Sequence, residues 1–356
     1  MSNWVRDLPK FDLHVHLDGS MRPETVIELA NALPPDRRFP PDLDLHQALI
    51  PPQRCTLEEY LRAFKITCAV LQSEAALERA AYELCEDAAR ENVIYMEIRF
   101  APLLHLRGGV SPQQVVESVL AGMRRAEETY PIRTGLIVCG LKQEPPERSI
   151  ETARLAAEYL EKGVVAFDLA GPENGFPPAL HHQAIEIARK SGLHVTLHAG
   201  EGCCPAHIRE AIDLGAERIG HGVYLYQDPD TEKVVRERGI PLEVCPTSNL
   251  QISGAMDSYC EHPFKRYLDE GIPVTINTDN RLMSQIDVTH ELEQMVDAFS
   301  LSHGQVKEVL LNSANATFTP EMIKGALRTQ VEQAFICVTR DRHNPQGGTD
   351  RRLFAL

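Results

Sequence analysis

The chain has 356 residues, of which 43% are hydrophobic and 24% charged, a composition typical of a soluble globular protein. Its 36 basic and 51 acidic residues give a formal net charge of −15, which argues against nucleic acid as a partner because phosphate backbones are bound by basic patches. No apolar run approaches the ~18 residues of a membrane span, and the start MSNWVRDLPKFD lacks the apolar core of a secretory signal.

Nine cysteines are present, and no two of them form a C-x-x-C pair. This odd number in a long chain predicts reduced and mostly buried thiols, as in a cytoplasmic protein. Cys203 and Cys204 are adjacent. For these two, ordinary packing is favoured over a functional role.

Eight short apolar runs with the character of β-strands follow one another along the chain. They span residues 11–18, 92–102, 133–142, 164–171, 194–201, 217–223, 240–246 and 272–279. Helical patterns at 149–163, 179–192, 206–216 and 231–239 lie between later strands, several of them ending at glycine. Alternation of eight strands with helices favours an α/β fold, a (β/α)8 TIM barrel, over a doubly wound open sheet. We expect one barrel domain over residues 1–340 and a polar C-terminal tail over residues 341–356.

The connection between the first two strands is about 75 residues long and predicts a helical insertion after strand 1. Within it, residues 56–72 have helical spacing, which places Leu57, Tyr60, Leu61 and Phe64 on one face. One interpretation is an ordinary stripe that faces the core. The other is an apolar lid over a pocket, because the βα loops of barrels lie on the catalytic face.

Histidines and one aspartate fall at the carboxyl ends of predicted strands. His14 and His16 point to the same side of strand 1 because side chains alternate along a strand. His198 ends strand 5 and Asp279 ends strand 8. In a barrel these ends meet at one pocket, where three imidazoles and a carboxylate suit one Zn²⁺ and a water molecule.

Each of these residues also has an ordinary interpretation. A lone strand-end histidine is usually a satisfied polar residue, and Asp279 is a reasonable N-cap for a following helix. Glu201 and His221 likewise stand at the ends of strands 5 and 6. All of these ordinary interpretations would have to hold at the same end of four strands, so the sequence favours a metal site.

Six motifs carry a resemblance to a known family. LHVHLDG, DLAG, LHAGE, RIGHG, EVCPTSN and NTDN occur here in the order found in the adenosine deaminases of the amidohydrolase superfamily, from about residue 7 to about residue 325. The resemblance implies a (β/α)8 barrel that holds one zinc ion through His14, His16, His198 and Asp279. Strand 4 has no lysine, which is consistent with a single metal.

The resemblance also implies roles for other residues. Glu201 matches the acid that protonates purine N1, and His221 matches the histidine that orients and deprotonates the attacking water, with Asp279 assisting. Gly171 matches the backbone contact to purine N3, and Asp18 matches the residue that binds the ribose 5′-hydroxyl. The expected substrate contacts are His16, Asp18, Gly171, Asn280, Leu57, Tyr60, Leu61 and Phe64.

One position departs from the family pattern. Asn280 follows Asp279 where many members have a second aspartate that contacts purine N7, and an amide can donate there at any pH.

The expected reaction is hydrolytic deamination of adenosine and 2′-deoxyadenosine in purine metabolism. Alternatives are deamination of 6-amino-6-deoxyfutalosine in menaquinone synthesis or of adenine, and an inactive adenosine-binding barrel. A carboxylate at Asp18 predicts a nucleoside substrate and not AMP. The sequence gives no indication of the oligomeric state.

Overall fold

A computed structural model of the protein describes residues 3–252 and 256–341. Eight parallel strands form one sheet in sequential order. They are β1 (Lys10–His16), β2 (Val93–Phe100), β3 (Arg133–Leu141), β4 (Val164–Ala170), β5 (His194–Ala199), β6 (Arg218–His221), β7 (Leu242–Val244) and β8 (Val274–Ile276). This arrangement confirms the predicted (β/α)8 architecture.

The helices surround the strands. Five of them form the insertion after β1: α1 (Pro23–Asn31), α2 (Leu45–Ala48), α3 (Leu57–Tyr60), α4 (Phe64–Val70) and α5 (Glu74–Arg90). The following helices are α6 (Pro112–Thr129), α7 (Pro146–Glu158), α8 (His182–Lys190), α9 (Pro205–Asp213), α10 (Pro229–Arg238), α11 (Pro246–Ile252), α12 (Phe264–Asp269), α13 (Arg281–Ser284), α14 (Val288–Phe299), α15 (His303–Ala316) and α16 (Glu321–Asp341).

The residues after β8 connect the last strand to the first. The backbone N–H of Asp279 donates to the His14 carbonyl at 2.8 Å, and the N–H of His16 donates to the Asp279 carbonyl at 2.7 Å. One residue earlier in β1, the Leu13 N–H donates to Oδ1 of Asn277 at 2.9 Å. These bonds nearly close the barrel and set the two histidines of β1 beside Asp279.

An apolar layer fills the space between strands and helices. Val15 and Leu17 are fully buried in it, as expected for side chains opposite to the two histidines. Removing such side chains from water provides the main favourable free energy of folding.

The interior of the barrel holds charged side chains instead of the usual branched apolar ones. Arg99 pairs with Asp168 at 2.9 Å and with Glu243 at 2.8 Å. Arg218 pairs with Glu97 at 2.5 Å and with Glu243 at 2.6 Å. All five are essentially inaccessible to solvent, so each charge depends on its partners for stabilisation. This network was not predicted from the sequence.

Other differences from the expectations concern boundaries. The predicted helix over residues 56–72 is divided into α3 and α4, because Arg62, Ala63 and Lys65 donate to the carbonyl three residues back and tighten the chain there. β7 and β8 have only three residues each. Apart from Asp341, the predicted tail lies outside the described residues. Among the described residues, the longest helices are too polar or too short to cross a membrane.

Candidate active site

A cavity of about 470 Å³ opens at the carboxyl ends of the strands. All eight substrate contacts expected from the sequence line it, namely His16, Asp18, Leu57, Tyr60, Leu61, Phe64, Gly171 and Asn280. His198, Glu201 and Asp279 also reach its wall. The apolar face of α3 and α4 therefore borders the cavity. The side chains that share one helical face in the sequence are thus the same side chains that an apolar lid over the pocket would use.

The four expected metal ligands converge at the floor of this cavity. Nε2 of His198 lies 3.1 Å from Nε2 of His14 and 3.2 Å from Nε2 of His16. Oδ1 of Asp279 lies 3.5 Å from the His14 nitrogen and 3.4 Å from the His16 nitrogen. Three imidazole nitrogens and one carboxylate oxygen at these separations form a donor set suited to a shared cation.

Buried acids hold the ligating rings in place. Oε2 of Glu243 lies 2.8 Å from Nδ1 of His14, and Oδ2 of Asp168 lies 2.9 Å from Nδ1 of His198. Each acid thereby keeps the proton on Nδ1 and leaves the Nε2 lone pair free for a metal. Burial lowers the pKa of His14 well below its usual range, which keeps that ring neutral. These residues fit a metal ion.

Glu201 and His221 lie beside the four expected metal ligands. Oε1 of Glu201 is 3.6 Å from Nε2 of His221, and both side chains are buried. Burial, and next the charge of Asp279, raise the pKa of Glu201 well above its ordinary value. Burial also raises the pKa of Asp279 to about 6 and lowers the pKa of His221 well below its usual range. Burial therefore favours the protonated form of Glu201 and the neutral form of His221.

A chain of hydrogen bonds determines which nitrogen of His221 carries the proton. The Phe264 N–H donates to Nδ1 of His262 at 3.0 Å, so Nε2 of that neutral ring bears its proton. That Nε2 donates to Oδ1 of Asn249 at 3.2 Å. The Asn249 amide in turn donates to Nδ1 of His221 at 3.0 Å, which leaves the proton of His221 on Nε2, the nitrogen nearer to Glu201.

Two of the candidate site residues have unusual backbone conformations. His221 and Asp279 have φ values of 66° and 57°, in the left-handed region that branched and bulky residues avoid. Asn280, and not Asp279, precedes α13, and it makes no side-chain cap. Left-handed backbone at non-glycine residues persists where the surrounding structure imposes it, and it is concentrated at functional sites.

Glycines make room for the substrate contacts at two positions. Gly171 has φ of +95° and lies against Gln143, whose Oε1 would be 2.3 Å from an added Cβ. An added Cβ at Gly19 would lie 1.8 Å from Oδ1 of Asn280. Any larger residue at Gly19 would therefore displace the Asn280 side chain.

A buried carboxylate that the sequence analysis did not identify anchors the loop bearing Glu201. Oε1 of Glu173 accepts the Gly200 N–H at 2.6 Å. Its Oε2 accepts the N–H groups of Glu201, Gly202 and Cys203 at 3.0, 3.2 and 3.3 Å. Four consecutive amides thus bind one carboxylate, and this arrangement positions the Glu201 side chain.

Replacing Glu173 by glutamine is expected to lower kcat about 10- to 100-fold while metal content is retained. The amide keeps the shape but removes the charge and one acceptor oxygen, and hydrogen bonds to a charged group are worth roughly 1.5–3 kcal/mol, with ~1.4 kcal/mol equal to tenfold in rate. Steady-state kinetics, metal analysis and circular dichroism measure this, with Glu147→Gln on the exposed start of α7 as the control. Wild-type kcat in a folded, metal-loaded Glu173→Gln would contradict the anchoring role.

The expectation of reduced thiols fails at one position. Cys203 and Cys204 are paired with each other in a disulfide, and neither is fully buried. Adjacency in the chain places the two sulfurs within bonding reach once Cys204 takes a left-handed backbone, with φ of 61°. Among the cysteines whose side chains the structure describes, the free thiols of Cys55, Cys85, Cys139 and Cys245 are buried, as expected, that of Cys68 is partly buried, and that of Cys260 is exposed.

Several further site residues lay inside recognised motifs without an assigned role. Asp168 belongs to DLAG, and Glu243, Ser248 and Asn249 belong to EVCPTSN. Ser248 donates to Oδ2 of Asp279 at 2.5 Å. The motifs contain these residues, but only the folded structure shows which side chain each of them contacts.

Comparisons with known proteins identify the family and the fold. The family model described as Adenosine deaminase matches residues 9–334. An adenosine deaminase of Clostridium kluyveri is 43% identical over 316 residues, covering 87% of this chain and 90% of that protein. Two crystal structures superpose with TM-scores of 0.85: an adenine deaminase of Arthrobacter aurescens, 27% identical and covering 92% of this chain and 99% of that one, and an Arabidopsis N6-mAMP deaminase, 28% identical and covering 93% and 100%.

The match of the family model spans nearly all of the described barrel, and the relative from Clostridium kluyveri covers most of the chain. The chain belongs to the adenosine deaminase family.

Proposed function

We propose that this protein is a zinc-dependent aminohydrolase that deaminates adenosine and 2′-deoxyadenosine to inosine and deoxyinosine, releasing ammonia. The observation that carries the proposal is the convergence of His14, His16, His198 and Asp279 at the floor of a cavity that also presents Glu201. The reaction hydrolyses the C–N bond of a cyclic amidine and belongs to purine metabolism.

The ligand set supports zinc as the metal. Imidazole nitrogen with one carboxylate oxygen is a common zinc environment, and four protein donors leave room for a water molecule. A bound zinc ion lowers the pKa of water toward about 7, which supplies a nucleophile at neutral pH. The buried partners of His14 and His198 orient both rings toward that ion.

Glu201, His221 and Asp279 divide the proton transfers among them. His221 bears its proton on Nε2, so it donates to the attacking oxygen and orients it. The Asp279 carboxylate accepts the proton that this water loses. As oxygen adds to purine C6, protonated Glu201 gives its proton to N1, and the proton held by Asp279 passes to the amino group, which leaves as ammonia. The C6 hydroxyl loses its proton as the C6=O bond forms, and this proton restores the protonated Glu201 for the next turnover. The family resemblance assigns deprotonation to His221, whereas the hydrogen-bond chain through Asn249 favours Asp279.

The remaining contacts orient the nucleoside. The backbone at Gly171 meets purine N3, and the Asn280 amide donates to N7 without needing a proton from solvent. The face formed by Leu57, Leu61 and Phe64 covers the base and sugar. Asp18 meets the ribose 5′-hydroxyl.

The names and identities of the relatives support adenosine over the other candidate substrates. The Clostridium kluyveri protein at 43% identity is named adenosine deaminase, whereas the adenine deaminase and the N6-mAMP deaminase are 27% and 28% identical. An inactive binding barrel has no use for Glu201 and His221 aimed at the same point. The anionic side chain of a futalosine would lie against the Asp18 carboxylate.

Adenosine is expected to exceed AMP in kcat/KM by about 100-fold or more, because a phosphate placed beside buried Asp18 is repelled in a poorly screened environment. Lys65 and Arg107 also line the cavity, but both are exposed, so solvent weakens their attraction for the phosphate. Ultraviolet monitoring of deamination with adenosine, deoxyadenosine, adenine, aminodeoxyfutalosine and AMP measures the ratios. Equal turnover of AMP and adenosine would overturn the assignment of Asp18, and turnover of none would overturn the proposed function.

A further inference from the structure

A second cluster of metal-ligating side chains borders the same cavity, which Asp18 and Cys68 line. Asp18 follows β1, Cys68 belongs to α4, and His105 follows the short helix Pro102–Leu104. One ligand atom from each of the three lies within 4.8 Å of the other two. Oδ2 of Asp18 is 3.5 Å from Sγ of Cys68 and 3.9 Å from Nε2 of His105.

The side chains of the cluster offer more lone pairs than hydrogen-bond donors. Nδ1 of His105 donates to the Leu71 carbonyl at 2.9 Å, and because a carbonyl can only accept, Nε2 of the neutral ring carries a free lone pair. Nε2 of His105 and Oδ1 of Asp18 are buried without a hydrogen-bond partner in the part of the chain that the structure describes. The other oxygen of the same carboxyl, Oδ2, is 3.9 Å from Nε2 of His105, too far for a hydrogen bond, so a cation placed between the two side chains would give both a partner.

The hydrogen bond from Nδ1 of His105 to the Leu71 carbonyl is also typical of histidines that bind metals. Histidines that ligate metals usually donate their other N–H to a carboxylate or a backbone carbonyl, which fixes the ring and directs the lone pair at the ion. His105 has this arrangement and is fully buried.

The two segments that carry Cys68 and His105 are tied together by one side chain. Nε2 of Gln72 donates to the Cys68 carbonyl at 2.5 Å and to the Leu104 carbonyl at 2.9 Å. Its Oε1 accepts the Arg107 N–H at 2.7 Å. Gln72 thus holds the thiol and the imidazole at a fixed separation before any ion binds.

We propose that Asp18, Cys68 and His105 form a second metal site, which takes a Zn²⁺ ion. Thiolate, imidazole and carboxylate are all zinc ligands, and three protein ligands leave one position open to the cavity. On binding, the Cys68 thiol releases its proton to solvent and a sulfur–metal bond forms. Because Asp18 cannot serve the ion and the sugar together, metal here competes with the nucleoside.

This site goes beyond the proposed function, and its chemistry makes it separately observable. The donor set of His14, His16, His198 and Asp279 contains no sulfur. A thiolate-to-metal charge-transfer band therefore reports on the second site and not on the first. The band requires no turnover, so its outcome is independent of whether the protein deaminates adenosine.

The test titrates cobalt(II) chloride into the metal-loaded protein and records the near-ultraviolet thiolate band. One equivalent of band-forming metal is expected in wild type, and none in Cys68→Ser. Cys139→Ser removes another thiol that lines the same cavity but lies outside the cluster, and it is expected to keep the band. His105→Gln, which removes the imidazole but no cysteine, is expected to weaken cobalt binding at least tenfold.

A kinetic readout accompanies the spectrum. Added Zn²⁺ is expected to raise the apparent KM for adenosine about twofold at a concentration equal to its Kd, with kcat unchanged, because half of the sites are then occupied. Cys68→Ser is expected to lose this sensitivity. No thiolate band in wild type, or an equal band in Cys68→Ser, would overturn the proposal.

Discussion

Glu201→Gln is expected to lower kcat roughly 10²- to 10⁴-fold, the range that a positioned general acid contributes, while the protein keeps its bound metal. Glutamine preserves the volume and polarity of the buried side chain, but it cannot give a proton to purine N1. Kinetics on adenosine and metal analysis of the same sample measure the two effects. Glu186→Gln on the exposed face of α8 is the control for the general effect of the substitution.

The pH dependence of the deamination rate provides a second test of the role of Glu201. Burial raises the pKa of Glu201, so its protonated form persists to higher pH than that of a free glutamate. Activity that depends on the protonated form is fully present below this raised pKa and declines as the pH rises through it. The residual activity of Glu201→Gln is expected to lack that decline. Full activity in Glu201→Gln would remove Glu201 from the mechanism.

His14→Ala is expected to weaken metal binding by more than about 100-fold, above the 10- to 100-fold typical of losing a partner of a ligand. It deletes one of four donors and leaves the Glu243 carboxylate without the ring that it orients. Deamination should fall with metal occupancy. Metal content after dialysis and isothermal titration with zinc measure the affinity.

His182→Ala provides the matched control, because His182 is an exposed histidine on α8. It is expected to retain both metal and activity. If His14→Ala instead bound zinc with wild-type affinity, the ion would have to lie elsewhere than among the three imidazoles.

The large features of this protein could be predicted from its sequence because they depend on periodicity and order. Eight apolar runs separated by helices determine a barrel, and a barrel brings strand ends together whatever the details of the loops. His14, His16 and Asp279 therefore meet as expected. The side chains of Leu57 and Phe64 also reach the cavity, although the helix that carries them is divided in two.

What could not be predicted depends on contacts between distant segments. Glu173 is one acid among 51 acidic residues until the fold brings four amides to it. The proton on His221 is determined through Asn249 and His262, which neither spacing nor residue type reveals. The cluster of Cys68 with His105 likewise joins the insertion after β1 to the segment after β2, and no local pattern connects them.

The anchoring of the loop by Glu173 also limits how the reaction can be stabilised. Many hydrolases place successive backbone N–H groups around the oxygen that becomes negative in the transition state. Here the amides of Gly200, Glu201, Gly202 and Cys203 are already bound to a carboxylate. Because the Glu173 carboxylate already accepts from these four N–H groups, they cannot serve as an oxyanion hole for the substrate. When oxygen adds to C6, the electron pair of the C6=N1 bond moves to N1, so the developing charge must be met by a side chain, through the proton of Glu201. The backbone of this loop therefore serves to position that acid and not to bind the substrate.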